Sequence, residues 1–312
     1  MTSSPAPLPA APPDLGLVRD EPLAKHTYIR LGGPAAYFGT PEDLTAVERI
    51  AAWAHEVGLP LRVLGGGSNL LVSDSGVRAV ILSLRRACGR VAFDGVEVEA
   101  GAAVMLPALA RQAAEHDLGG LEFGIGIPGT VGGALQTNAG IGDGRCIGDL
   151  IRSVEVLRDG RRVTVPREAI TFTYRHTSLR GSGDIVLGAR LALTPRPRAE
   201  CEAETRRLLE ARQRSQPTAE PNNGSVFRNP EGDHAGRLIE AAGCKGLRVG
   251  GASVSTLHAN FIVHDGTAST ADVLGVMGEV QRRVAERFGV RLVPEVEWWG
   301  EGAPPPPFAP AV

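Results

Sequence analysis

Residues 61–72 read LRVLGGGSNLLV: a short apolar run, three consecutive glycines, a serine and an asparagine, then a second apolar run. The flanks have the length and bounding residues of strands, so Gly65, Gly66, Gly67, Ser68 and Asn69 form the loop between them and Leu70 opens the strand behind it. Glycine carries no Cβ, so successive peptide N–H groups there converge on a concave anion site, and Ser68 and Asn69 add side-chain donors. Three adjacent glycines lose more chain entropy than a plain connector warrants. The loop is therefore read as a candidate pyrophosphate cradle.

Upstream, TPEDLTAVERIAAWAHEVG (40–58) predicts a helix with Thr40 as cap, Pro41 at its first position and Asp43 returning a bond to the cap. Leu44, Val47, Ile50, Ala51, Ala54 and Val57 recur at helical spacing, and Gly58 and Pro60 end it. Downstream the pattern is mostly strand: Val80 to Leu82, hairpin turns at Asp94-Gly95 and Asp159-Gly160, and Ile185 to Leu193, with a helix from Pro107 to about His116. Strands without regular strand–helix alternation indicate an α+β fold. Thr194-Pro195-Arg196-Pro197 marks a boundary, followed by a charged helix (Ala199 to Arg214), a short helix near Leu238, a strand near Ala259 to His264, a helix from Thr270 to Phe288 and the closing run VRLVPEVEWWG. This divides the chain into a larger domain (16–198) and a smaller α+β domain (199–300), between Pro/Ala-rich tails (1–15 and 301–312) expected to be disordered or extended.

Composition narrows the function. The 312 residues are 43% hydrophobic and 22% charged, ordinary globular usage. A net charge of -2, from 33 basic and 35 acidic residues, removes the electrostatic argument for a nucleic-acid partner. Forty glycines are nearly twice the usual share, and they cluster. Cys88, Cys146, Cys201 and Cys244 are far apart and form no metal-ligand spacing, so reduced, mostly buried thiols are expected, with no metal site. The N-terminus lacks the basic and apolar regions of a secretory signal, and no apolar stretch is long enough for a bilayer. A cytoplasmic protein without a membrane partner is the expectation.

A second glycine cluster, GIGIPGTVGG (124–133), contains a literal GxGxxG. It follows no first strand, Pro128 biases Ile127 away from helix, and Asp149 precedes a strand pattern instead of ending one, so the Rossmann reading is rejected. Gly126, Ile127, Pro128 and Gly129 are read as a loop entering a helix at Thr130, with Gly132 and Gly133 in its first turn. The N–H groups of that turn are expected to face phosphate or a ring edge, and Asn138-Ala139-Gly140 to close the helix. Two such clusters about sixty residues apart suit one extended ligand with a central pyrophosphate, such as a dinucleotide.

KHTYIRLGG (25–33), LGGGSNLLV (64–72) and GIPGTVGGALQTNAG (126–140), in that order, resemble the FAD-binding domain of the UDP-N-acetylenolpyruvoylglucosamine reductase family, within the vanillyl-alcohol-oxidase type of flavoproteins. The resemblance runs from about residue 22 to 300. It implies non-covalent FAD held by Arg30, Gly65 to Leu70, Gly126 to Thr130, Gly132, Gly133, Asn138 and Gly140. It also implies NADPH as co-substrate and reduction of UDP-N-acetylglucosamine enolpyruvate to UDP-N-acetylmuramate for peptidoglycan. No separate nicotinamide motif is present, which agrees with the family's use of one site for both molecules in turn.

Hydride added to an enolpyruvyl double bond leaves negative charge on the α-carbon and carboxylate. Catalysis then needs cationic or donor groups at the carboxylate and a proton source at the α-carbon. FTYR (172–175) resembles the family's Tyr-Arg motif, which implies that Arg175 holds the carboxylate, with Tyr174 beside it at the substrate. NNGSVFRNP (222–230) resembles the loop bearing the acid, which implies Ser225 as proton donor and Asn229 as a substrate contact. LVPEV (292–296) resembles the motif whose glutamate, here Glu295, joins the arginine; beside an anionic intermediate that carboxyl helps when protonated, so its pKa is expected to be raised. Lys245 and Asn260 lie in further segments resembling the substrate domain. Two departures stand out: Glu297 occupies an expected basic position, and about fifty residues between Arg175 and Ser225 match the shorter subtype without the lid and its tyrosine. The alternatives are a related FAD-dependent alcohol or sugar oxidase, and a non-catalytic UDP-sugar or flavin sensor.

Overall fold

The computed structural model describes residues 7–309. Its α-helices are α1 (Leu44–Glu56), α2 (Leu106–Glu115), α3 (Val131–Thr137), α4 (Arg198–Ser215), α5 (Ala235–Ala241) and α6 (Thr270–Phe288). The larger part of the chain builds two sheets. One is mixed, in the order Val18–Pro22, Pro34–Gly39, Val77–Leu82, Leu61–Val63, with its last two pairings parallel. The other is a five-stranded antiparallel sheet centred on Ile185–Ala192, flanked by Ile151–Arg158 and Glu97–Gly101. A three-stranded antiparallel sheet with α5 and α6 makes the smaller part, so the α+β expectation holds.

Local chemistry explains where elements begin. α1 starts at Leu44, capped by Asp43, which accepts from the Ala46 N–H at 2.8 Å; Thr40 is not the cap. The turn at Asp159-Gly160 has the expected register, with both residues left-handed as a two-residue hairpin of type I′ requires. The other hairpin slips by one residue: Asp94 pairs with Glu97, so Gly95 and Val96 form the turn, and only Gly95 is left-handed.

The proline-rich ends are not free tails over the described residues. Leu8, Ala11 and Leu15 pack against the main core, and the Tyr37 hydroxyl donates to the Pro9 carbonyl. At the other end Gln281 Nε2 donates to the Pro307 carbonyl at 3.0 Å, and Phe308 packs on Trp298 with ring centroids 5.8 Å apart. Proline has little backbone freedom to lose, so a few apolar contacts suffice to dock such a strap. Residues 1–6 and 310–312, the rest of both expected tails, lie outside the described residues.

Two long-range contacts place the parts. α4 packs on α2 and on the Glu122–Gly126 turn of the larger part, and its buried residue, Cys201, lies 3.6 Å from the Leu118 carbonyl. Glu297–Trp299, at the end of the chain, pairs in parallel with Leu70–Val72, the strand leaving the triple-glycine loop. The smaller part is therefore tied to the larger one beside that loop.

Candidate active site

The two glycine clusters meet in space. A Cβ on Gly65 would stand 2.6 Å from Thr130 Oγ1, and one on Gly66 would stand 2.9 Å from the Pro128 carbonyl, so glycine here is what lets one loop lie on the other. Both line a cavity of about 1760 Å³, well above the ~300–1,000 Å³ usual for a single small ligand.

The donors divide unequally between the clusters. The peptide N–H groups of Gly65 to Asn69 have no partner among the described residues, so the loop presents uncommitted donors at the cavity wall, as an anion would require. At α3 the expectation fails. Val131 N–H donates to the Val104 carbonyl, Gly132 N–H to the Ala102 carbonyl (both 2.8 Å), and Gly133 N–H to Thr130 Oγ1 (3.3 Å). The first turn is spent inside the protein, and Gly126, Ile127, Pro128, Gly129, Thr130, Gly132, Gly133 and Gly140 contribute wall rather than helix-end donors. Free N–H groups on one loop, a glycine wall against it and the cavity's volume fit a dinucleotide such as FAD.

Two residues assigned to the cofactor sit elsewhere. Arg30 is exposed, has φ +58 and does not line the cavity. Asn138 caps α3 in the left-handed conformation, as expected, but its amide is used internally: Nδ2 donates to the Thr173 carbonyl and Oδ1 accepts from the Gly148 N–H, both at 3.1 Å. That bond steadies the hairpin Phe172–Thr173/His176–Thr177, whose turn is Tyr174-Arg175. Arg175 there has φ +55, a strained conformation for a residue with a side chain, and its guanidinium lines the cavity.

Arg175, Ser225 and Glu295, from three distant stretches, line the same cavity. Arg175 Nε lies 2.7 Å from Glu295 Oε1. Its N–H meets no acceptor in hydrogen-bond geometry, so the two groups stand against each other with that donor uncommitted. Burial holds the Glu295 carboxyl above the ordinary glutamate range, opposed mainly by the charges of Arg175 and Arg228. Ser225 and Glu295 are held in register: Glu295 N–H donates to the Val226 carbonyl at 2.8 Å, and Arg228 N–H to the Val293 carbonyl at 2.9 Å.

Two asparagines lock this arrangement. Buried Asn260 donates to the Phe227 carbonyl at 2.8 Å and accepts from the Phe227 N–H at 3.0 Å, so its amide positions the Ser225 loop and does not reach the cavity. Asn69 Nδ2 donates to the Glu295 carbonyl at 3.1 Å, tying the glycine loop to the acid. The remaining substrate assignments fall outside the cavity lining: Tyr174 is exposed over Arg175, Asn229 Oδ1 accepts from the Ala235 N–H, and Lys245 pairs with Glu240.

Other lining residues carried no recognisable pattern in the sequence. Arg212 and Gln216 reach the cavity from the end of α4, bonded to each other at 3.1 Å. Arg180 stands 3.9 Å from Glu297, whose Oε1 also accepts from Trp299 Nε1 at 2.8 Å, so the acid at position 297, where a base is expected, is paired with a cation at the cavity wall. Only their place at the cavity wall in the folded chain sets Arg180 and Arg212 apart from the many surface arginines.

The chain matches two family models: an FAD binding domain over residues 35–165 and the UDP-N-acetylenolpyruvoylglucosamine reductase C-terminal domain over residues 216–299. It is 47% identical over 289 residues to UDP-N-acetylenolpyruvoylglucosamine reductase 2 of Symbiobacterium thermophilum, covering 93% of this chain and 94% of that one. The Moorella thermoacetica reductase is 46% identical, covering 92% and 95%. The crystal structure of the Thermus caldophilus reductase superposes with a TM-score of 0.76 at 38% identity, covering 91% of this chain and 98% of that one.

Proposed function

The chain belongs to the UDP-N-acetylenolpyruvoylglucosamine reductase family, and from that membership and the geometry we propose that it reduces UDP-N-acetylglucosamine enolpyruvate to UDP-N-acetylmuramate, a step of peptidoglycan synthesis, with Arg175, Ser225 and Glu295 as its catalytic residues. It is an FAD-dependent oxidoreductase with NADPH as co-substrate, and we place it in the cytoplasm. None of the described helices is long and apolar enough to cross a membrane. The single observation that carries the reading is the Arg175–Glu295 pair beside Ser225 in the cavity walled by the glycine loops.

Bound FAD, once reduced by NADPH, would supply the hydride. The residues of the chain do the rest. The Gly65 to Asn69 N–H groups receive the pyrophosphate. Arg175, permanently charged and planar, holds the substrate carboxylate and stabilises charge as it develops there. Ser225 gives its proton to the α-carbon; a hydroxyl is a weak acid, but an enolate-like carbon is a strong base. Burial raises the Glu295 pKa and so favours the protonated carboxyl, the form that can donate a hydrogen bond toward the same charge. The decisive experiment is the visible spectrum of the purified protein followed by NADPH oxidation. Bound, acid-extractable flavin and oxidation that depends on the enolpyruvyl sugar nucleotide are expected. Oxygen-dependent turnover releasing hydrogen peroxide without that substrate would support the oxidase instead.

The raised pKa of Glu295 makes a second test. An acid whose native pKa is raised favours both the fold and the protonated site at low pH, and both contributions fade as pH rises through that pKa. Activity should therefore fall on the alkaline side. In Glu295→Gln, where the donor does not titrate, that limb should vanish while activity at low pH drops about tenfold, for one weakened hydrogen bond. An unchanged alkaline limb in the variant would remove Glu295 from this role.

A further inference from the structure

Asn222 and Asn223 are adjacent, both buried and both at the cavity wall, yet they are used differently. Asn222 is fully engaged: Nδ2 donates to the carbonyls of Pro217 (3.0 Å) and Glu220 (2.8 Å), and Oδ1 accepts from the Gly224 N–H (3.0 Å). It builds the turn that carries Ser225. Asn223 has zero exposure, and neither Oδ1 nor Nδ2 has a hydrogen-bond partner. No other side-chain amide among the described residues is left with both polar atoms buried and unsatisfied. Folding gains nothing from burying an amide this way, because the group gives up water and receives no bond in return.

Resting on the functional reading above, we propose that Asn223 is a ligand-binding residue whose carboxamide pairs with an amide or imide edge of a bound molecule. A carboxamide is planar and neutral, with an acceptor beside a donor, so its complement is a C=O beside an N–H. Phosphates and carboxylates fit it poorly, since they offer no donor and the cavity meets them with Arg175, Arg180 and Arg212. Two molecules expected in the cavity carry such an edge, a cis-amide or imide held in a ring: the pyrimidine ring of the flavin, and the uracil of the substrate.

The test uses the full-length, flavin-loaded Asn223→Ala and Asn223→Leu variants; the second keeps the branched shape should the smaller side chain impair folding. Three quantities are measured against wild type: the FAD dissociation constant, the flavin reduction potential, and the dissociation constant of the enolpyruvyl sugar nucleotide, read from its perturbation of the flavin spectrum. A loss of about 10- to 100-fold in FAD affinity, or a shifted potential, supports pairing with the flavin. A similar loss in substrate affinity with FAD binding intact supports pairing with the substrate. Wild-type values for all three overturn the proposal. Failure of the functional reading itself would appear in the wild-type chain, which would then bind neither molecule.

Discussion

Arg175→Ala should lower the rate of enolpyruvyl reduction about 10²- to 10³-fold, the loss typical of removing one preorganised group that meets developing negative charge. Reduction of the bound flavin by NADPH, followed alone in a stopped-flow experiment, should stay within a few-fold of wild type, because that half of the cycle forms no charge on an enolpyruvyl carboxylate. Arg175→Lys should recover only part of the loss. The ammonium keeps the charge but not the planar fork, and it does not reproduce the Nε approach to Glu295 at 2.7 Å. Loss of Arg175 also removes the largest influence holding the Glu295 pKa down, so the alkaline fall of any residual activity should move to higher pH. Equal slowing of both half-reactions would show that the arginine serves the fold or the cofactor instead.

Ser225→Ala should be the other large effect, about 10²- to 10⁴-fold in the substrate half-reaction, as expected for loss of a positioned proton donor. Its backbone surroundings predict that the loss will be clean. Loop and acid are fixed by hydrogen bonds, Glu295 N–H to the Val226 carbonyl and the Asn260 side-chain amide to both the N–H and the carbonyl of Phe227, none of which involves the serine hydroxyl. Binding of the enolpyruvyl sugar nucleotide and the thermal midpoint should therefore remain near wild type. A solvent isotope effect on the wild-type rate that disappears in the variant would identify the hydroxyl as the proton source. Turnover by the variant at the wild-type rate would exclude it.

The glycine loops were legible because the signal is the residue itself: no other side chain lets Gly65 meet Thr130 or Gly66 meet Pro128. Their donors were less so. At α3 the loop and helix were placed correctly, but which carbonyls its first turn would meet was fixed by Ala102 and Val104 across the structure. Arg175, Ser225 and Glu295 were found through family motifs, since taken singly each looks like an ordinary strand or turn residue. Asn260 and Asn138 show the limit of that route. Both sit in motif segments, but their amides hold the protein's own backbone. Asn223 carries no local pattern separating it from its neighbour Asn222; burial without a partner is a property of the folded chain alone. The docked ends were missed for a related reason, as composition records proline but not the few apolar side chains that seat it.

The parallel pairing of Glu297–Trp299 with Leu70–Val72 has a consequence for biosynthesis. The strand leaving the triple-glycine loop receives this neighbour from a segment far along the chain, and Asn69 bonds to Glu295 at a separation of 226 positions. Closing so distant a contact is slow and cannot precede release of those last residues from the ribosome. Flavin capture is therefore expected only after residues 295–299 have emerged, and polypeptides that stop before them lack both the acid and the strand beside the Gly65–Asn69 loop.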